Sequence, residues 1–147
     1  VEYNQELADQ KQGKLLADLP AEPIMVSGLE GRLAQVFVNL ITNAISFMEP
    51  DGEVRVKVQE LGTDKLRVTV EDTGPGIPDE NLEDVFSRFY SNRPGQEFGN
   101  HSGLGLAISK QIVDAHRGAI WAENIRAPGE NGTAPPSGAR FVVELPR

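Results

Sequence analysis

The run Leu66-Arg67-Val68-Thr69-Val70-Glu71-Asp72 alternates strictly between apolar and polar residues. A side-chain period of two predicts a strand with Leu66, Val68 and Val70 on one face, and Asp72 falls on that same face. A carboxylate in phase with a core is costly unless something meets it. Either Asp72 caps its own turn or it waits for a ligand. "EVRVKVQEL", residues 53–61, alternates in the same way, and "GTD" between the two runs reads as a hairpin turn. From Leu29 to Met48 the period becomes helical, with Leu33, Val36, Phe37, Leu40, Ala44, Phe47 and Met48 on one arc, ended by Pro50, Asp51 and Gly52.

"GLGLAISKQIVDAHRG", residues 103–118, predicts a second long helix with Leu104, Ile108, Ile112 and Ala115 on one face and Gly118 as its stop. Shorter elements complete the pattern: a polar helix tail over 1–12, strands at 14–20 and 23–28 around the Pro20–Pro23 turn, and a short helix over 78–90. Two last strands follow at 119–125 and 139–146. Residues 91–102 lack periodicity and read as a mobile loop, and the Gly- and Pro-rich stretch 126–138 reads as a solvent loop. This order predicts an α+β layer, one mixed sheet with helices on one face.

Composition narrows the class. The 147 residues are 39% hydrophobic and 24% charged, enough for one soluble domain with its own core. A net charge of -8 argues against general binding to nucleic acid or to an anionic membrane, but not against a nucleotide at a local site. With no cysteine, disulfides and thiolate zinc sites are excluded. No apolar run approaches a membrane span, and no signal peptide opens the chain. Val1 opens inside a helix tail, which predicts an excised fragment.

Three stretches carry candidate chemistry. On the first long helix Gln35, Asn39, Thr42, Asn43 and Ser46 form a narrow stripe opposite the apolar arc, with no charge between Leu33 and Met48. Such a stripe is either a buried polar seam or the wall of a site, and asparagine oxygens suit Mg²⁺, a hard ion that keeps waters and shares phosphate oxygens. "GLGLA", residues 103–107, opens the second helix, where exposed amides and glycines make a phosphate seat or simply allow tight packing. Loop 91–102, just before it, stands where a lid would close. In "DTGPGIP", residues 72–78, Asp72 suits an Asx turn onto Gly74. It equally suits the exocyclic amino group of adenine, a donor that guanine, with its 6-oxo group, lacks.

In order and spacing, "NLITNA", "DTGPGIP", "FSRFY", "GLGLAISKQIVDAHRG" and "GARFVVELP" resemble the N box, the first glycine box, the F box and the second and third glycine boxes of sensor histidine kinases. The resemblance is to their catalytic, ATP-binding domain, whose fold is shared with gyrase, Hsp90 and MutL ATPases, and it covers roughly residues 22–146. It implies a two-layer α+β sandwich, a mostly antiparallel five-stranded sheet packed on one face by three helices. Residues 1–20 would end the connection from a missing dimerisation and phosphoacceptor hairpin, and 21–147 would be the catalytic domain. The stretches "NAISF" and "RPG" resemble the envelope-stress and acid-sensing kinases of α-proteobacteria.

By the same resemblance Asn43 coordinates Mg²⁺ and Asn39 supports the polar wall. Asp72 takes the adenine amino group, Gly74 and Gly76 let the turn lie against the base, and Ile77 adds an apolar wall. Gly103, Leu104, Gly105 and Leu106 seat the triphosphate, while Phe86, Phe89 and Tyr90 form the lid hinge. Gly138 belongs to the last glycine box. The chain also departs from the family: Ser46 stands where Lys or Arg is common, Phe47 where Tyr is common, and Ser91 where Arg follows the F box. Phosphate charge is then expected to be met by Arg93, with Arg88 or Lys110 behind it.

Hydrolytic and serine-kinase relatives carry a Glu base four residues before the Mg²⁺ asparagine; Asn39 stands there and cannot take a proton. A neutral imidazole needs no such base to attack phosphorus. The expected activity is therefore protein-histidine kinase, in two-component signalling. The alternatives are an ATPase or serine kinase of the same fold, or a degenerate nucleotide-binding module. His101 and His116 lie in no dimerisation-helix motif, so the acceptor histidine is expected upstream of Val1. The implied partners are ATP or ADP, the dimerisation-phosphoacceptor domain of the same kinase and a response-regulator receiver domain, with no nucleic acid. The domain stays out of the membrane as the cytoplasmic part of an inner-membrane-anchored homodimeric kinase, and is monomeric on its own.

Overall fold

A computed structural model describes residues 14–18, 30–47, 50–87, 105–126 and 137–146. Along the chain run β1 (Lys14–Asp18), α1 (Glu30–Ser46), β2 (Glu53–Leu61), β3 (Lys65–Asp72), α2 (Gly105–Ala115), β4 (Ala119–Ile125) and β5 (Gly138–Pro146). The strands form one sheet in the order β1-β2-β3-β5-β4. Only β1 and β2 pair in parallel; the remaining neighbours are antiparallel. The mixed five-stranded α+β architecture is thus as expected.

The period-two pattern of β3 is realised in full, with Leu66, Val68, Val70 and Asp72 all buried. Register carries that face across the sheet. Val54, Val56 and Val58 oppose Asp72, Val70 and Val68 on one side, and Ala139, Phe141, Val143 and Leu145 oppose the same face of β3 on the other. The helices cover this face through Leu33, Val36, Leu40, Ile41, Ala44 and Ile45 of α1 and Ile112 and Val113 of α2. Each fully buried Val, Leu, Ile or Phe contributes about 1.5–3 kcal/mol over an exposed one. The second face stays wet, where Arg140 joins Glu71 (2.8 Å) to Glu123 (3.1 Å) and Arg67 meets Glu144. The hairpin between β2 and β3 turns at Gly62, whose φ of 64° needs no Cβ clearance.

Two expectations are corrected. The described residues hold two α-helices, not three: of the segment expected as a helix over 78–90, the described part, 78–87, forms two short 3₁₀ turns, Asp79–Asn81 and Asp84–Phe86. Val85 is buried and Leu82 and Phe86 pack partly buried against the core, so the apolar face is present but is carried by two short turns and not by a continuous helix. In α2, Ala115 is exposed and the buried arc instead includes Ala107, Ser109, Ile112 and Val113. That helix packs against both α1 and β4, which turns its inner face toward Ser109 and Val113. The polar tail over 1–12, the strand over 23–28, Met48 and the lid over 91–102 lie outside the described residues.

Gly118 ends α2 for a different reason from the one expected. The Gly118 amide donates to the Val113 carbonyl (2.9 Å) and the Arg117 amide to Asp114 (3.0 Å), the paired bonds of a Schellman cap. The left-handed residue is Arg117, at φ 61°, not the glycine. Gly118 is required because a Cβ there would lie 2.4 Å from the Glu144 carbonyl oxygen. A left-handed non-glycine costs about 1 kcal/mol. Replacing Arg117 with Gly is therefore expected to raise the unfolding free energy by up to about 1 kcal/mol, read from urea denaturation with an unchanged slope.

Candidate functional site

Helix α1 brings the three chemical stretches together. Its polar stripe is neither free surface nor closed core: Gln35 is exposed, while Asn39, Thr42, Asn43 and Ser46 are half-buried. Halfway along, the Asn39 amide donates to the Gly105 carbonyl (3.2 Å) and to Ser109 Oγ (3.3 Å). Ser109, fully buried, donates in turn to the Gly105 carbonyl at 2.9 Å. The first turn of α2 is thus tied to α1 by side chains, not by apolar packing alone. Asn39 is a cross-link between the two helices as well as part of the polar wall.

The end of α1 meets the turn after β3. A Cβ on Gly74 would sit 2.7 Å from the Phe47 carbonyl oxygen, so only glycine lets the turn approach the helix end this closely. Phe47 itself is buried. Asp72, 2% exposed, accepts the Gly74 amide on Oδ1 at 2.9 Å and the Ala139 amide on the same oxygen at 3.3 Å. The Asx turn is present, and the carboxylate also ties β3 to β5. Gly138 is forced by the same register: a Cβ there would lie 1.9 Å from the Asp72 carbonyl oxygen. Thr73 completes the anchoring, its Oγ accepting the Glu53 amide at 2.9 Å.

Around Asn43 the geometry differs in kind. Ser46 donates its hydroxyl to the Asn43 carbonyl at 2.6 Å and is turned back onto its own helix. The Asn43 amide nitrogen is buried with no partner among the described residues. Buried polar side-chain atoms are rarely left so, and an unpartnered N–H donor suits an acceptor such as a phosphate oxygen. Among the described residues no group of three or more His, Asp or Glu could hold a metal by itself. The oxygen of the same amide is the atom that could meet Mg²⁺, a hard ion that takes one or two protein oxygens and completes its shell with waters and phosphate oxygens.

The glycine turn continues into a clamp that the motifs did not reveal. Gly76 has φ 81°, and Ile77, 1% exposed, follows it into the core. Asn124 of β4 accepts the Ile77 amide on Oδ1 (2.8 Å) and donates Nδ2 to the Ile77 carbonyl (2.6 Å) and to Asp79 (2.9 Å). Arg126 reaches the other Asp79 oxygen at 2.9 Å. The Asn124 hydrogen bond, and after it Arg126, holds the Asp79 carboxyl below its ordinary range. Asparagine is depleted in strands, and its presence near the end of β4 was the available signal. For Ser109 the signal was a lone hydroxyl in mid-helix, which commonly bonds the carbonyl four residues back.

Gly105 and Leu106 stand at the start of α2, Gly105 beside Asn39 as described. Phe86 packs edge-to-face on Phe141 of β5, centroids 6.0 Å apart, which fixes the segment leading to the lid. Lys110 pairs with Asp114 at 3.4 Å and lines an open cleft of about 520 Å³ with Leu82, Glu83, Phe86, Ile120 and Trp121. It faces the β4 side of α2 and not Asn43. Gly103, Leu104, Arg88, Phe89, Tyr90 and Arg93 lie outside the described residues. So do Ser91 and His101. His116, at the end of α2, turns its ring Nδ1 to the Ile112 carbonyl at 2.7 Å. No helix among the described residues is long and apolar enough to cross a membrane.

Comparison with known proteins agrees with this fold. The family described as histidine kinase-, DNA gyrase B- and HSP90-like ATPase matches residues 28–147. The sensor protein ChvG of Rhizobium meliloti is 45% identical over 155 residues, covering 99% of this chain and 26% of the relative. The chain therefore spans about a quarter of the length of that protein. ChvG is an α-proteobacterial sensor, which agrees with the α-proteobacterial part of the resemblance carried by "NAISF" and "RPG". Among solved structures, the mycobacterial sensor histidine kinase MprB is 27% identical with a TM-score of 0.82, over 99% of this chain and 91% of that one. Full-length ShkA, in complex with AMPPNP, is 26% identical with a TM-score of 0.78, over 98% of this chain and 27% of that one.

Proposed function

The chain belongs to the histidine kinase-, DNA gyrase B- and HSP90-like ATPase family, and from that premise we propose that it binds Mg²⁺–ATP between α1, the Asp72 turn and the start of α2. We further propose that it donates the γ-phosphoryl group to a histidine on a dimerisation domain outside this chain. The observation that carries the reading is the convergence on one helix. Asn43 keeps a buried, unpartnered amide nitrogen, Asn39 holds Gly105, and the Phe47 carbonyl lies against Gly74.

Within this reading Asp72 faces the adenine amino group, Ile77 and the two glycines of the turn line the base, and Gly105 and Leu106 begin the phosphate seat. Arg93, with Gly103, Leu104 and Tyr90, completes the seat and lid. Asn43 holds Mg²⁺, which when bound neutralises phosphate charge and orients the γ-phosphoryl for in-line attack. The chain's own residues supply position: α1 and α2 are locked to each other through Asn39 and Ser109, so the metal ligand and the phosphate seat keep a fixed separation. Asn39 donates its amide to a carbonyl and cannot serve as a general base, which argues against hydrolysis by a positioned water.

The remaining parts of the proposal concern the whole protein: a homodimer anchored in the inner membrane, with a response-regulator receiver domain as the onward acceptor. The test is direct. Incubated with Mg²⁺–ATP alone, the domain should form no phosphohistidine. Added to a separate dimerisation domain from its own kinase, it should transfer label to that domain's histidine. Steady ATP turnover without any histidine domain, or no ATP binding, would reject the reading in favour of an ATPase or an inert module.

A further inference from the structure

Asn124 belongs to none of the nucleotide motifs, yet it makes the most specific set of contacts to the turn that carries them. Ile77 follows Gly76 in a stretch with no regular secondary structure, where its backbone groups have no ladder partner. Asn124 supplies one. Its amide accepts from the Ile77 N–H and donates to the Ile77 carbonyl, at 2.8 and 2.6 Å, as a neighbouring strand would. Among uncharged side chains only a primary amide offers a strong acceptor and a donor side by side. The second hydrogen of the same nitrogen goes to Asp79, and Arg126 closes the outer end on the other Asp79 oxygen.

The turn is therefore pinned at two points from two different strands. Asp72 of β3 holds the Gly74 amide, and Asn124 of β4 holds both backbone groups of Ile77. Only Pro75 and Gly76 separate the anchors. Two consequences follow. The distance from Ile77 to Asp72 is set by β4 through β5, not by the turn's own preferences. The Ile77 N–H is also committed, so this residue has no free amide to offer a base.

We infer that Asn124 is a positioning residue of the nucleobase pocket, holding Ile77 at the separation from Asp72 that an adenine ring requires. It touches no part of the ligand. The inference rests on the reading of this site as an ATP site. Adenine selectivity is then divided: Asp72 supplies the polar discrimination, and Asn124 keeps the apolar wall in register with it.

The experiment measures ADP and GDP binding by calorimetry to the 147-residue chain and to two variants. Asn124→Ala should bind ADP about tenfold more weakly, the effect of one or two lost buried hydrogen bonds, while the weak GDP binding barely moves. The ADP-to-GDP preference therefore narrows, which a general loss of stability would not produce. Asn124→Ser keeps a hydroxyl that can meet only one of the two Ile77 backbone groups and sets no charge beside Asp79, and should fall between the parent and the alanine variant. It also serves if the alanine variant does not fold. In the folded variant, an Ile77 amide that exchanges with solvent faster than in the parent chain identifies the broken clamp.

ADP affinity within twofold of the parent in either folded variant, or an unchanged ADP-to-GDP ratio, overturns the role of Asn124 and leaves the ATP reading standing. Failure of the unmutated chain to bind ADP removes that reading and this inference together.

Discussion

Asn43→Ala should unfold at the same temperature as the parent chain or slightly above it, while losing the Mg²⁺-dependent part of its ATP affinity and at least about 100-fold of its phosphoryl transfer to a histidine domain. The first half of this result comes from the unpartnered Asn43 nitrogen, the second from the oxygen of the same amide, the atom proposed to meet the metal. A buried donor with no partner is a folding liability of about 1–3 kcal/mol, and truncating it removes the liability with the side chain. Ala is also the best helix former, and position 43 lies within α1. An asparagine kept at such a position works against stability, so its benefit must appear when something binds. Differential scanning calorimetry and ATP titrations with and without Mg²⁺ separate the two effects. Mg²⁺-free ATP binding should be alike in the variant and the parent. Equal ATP affinity with and without Mg²⁺ in the parent chain, or full transfer by the variant, would sink the assignment of Asn43.

What could be read in the sequence divides along physical lines. Period-two and helical patterns report the type of an element and often its buried face, so β2, β3, α1 and the two C-terminal strands were legible as elements, and β3 with its inward face, Asp72 included. Patterns do not report what lies across an interface. Asn39 reads as one more polar residue on a stripe; its bond to Gly105 spans 66 positions and exists only once α1 and α2 are packed. Asn124 is 47 positions from Ile77 and was missed for the same reason. Glycines show the other side of this limit. Gly74, Gly118 and Gly138 are recognisable as turn or cap residues, yet each is required by a close approach of backbone from a distant element, at Phe47, Glu144 and Asp72. In the segment after the glycine turn the start signals and the inward residues Leu82, Val85 and Phe86 were legible, but not that they would sit on two short 3₁₀ turns in place of one helix.

Asp72→Asn should weaken ADP and ATP binding by about 10- to 100-fold and leave the fold in place, with GDP binding little changed. Asparagine has the same shape, and its one oxygen can still accept the Gly74 and Ala139 amides that Oδ1 accepts now. Those two bonds become neutral ones, roughly half as strong as bonds to a carboxylate, so a loss of about 1–2 kcal/mol in stability is expected. The other end of the side chain changes sign. Where the carboxylate offers a second acceptor, the amide presents two hydrogens to a base that itself offers hydrogens there. Restoring the match would require the amide to flip, and the flip would point those hydrogens at two backbone N–H groups in a site that is 2% exposed. The variant is therefore trapped between its turn and its ligand, and the loss should fall on adenine and not on phosphate. Calorimetry with ADP and GDP decides it: unchanged ADP affinity would show that the buried carboxylate serves only to join β3, the turn and β5.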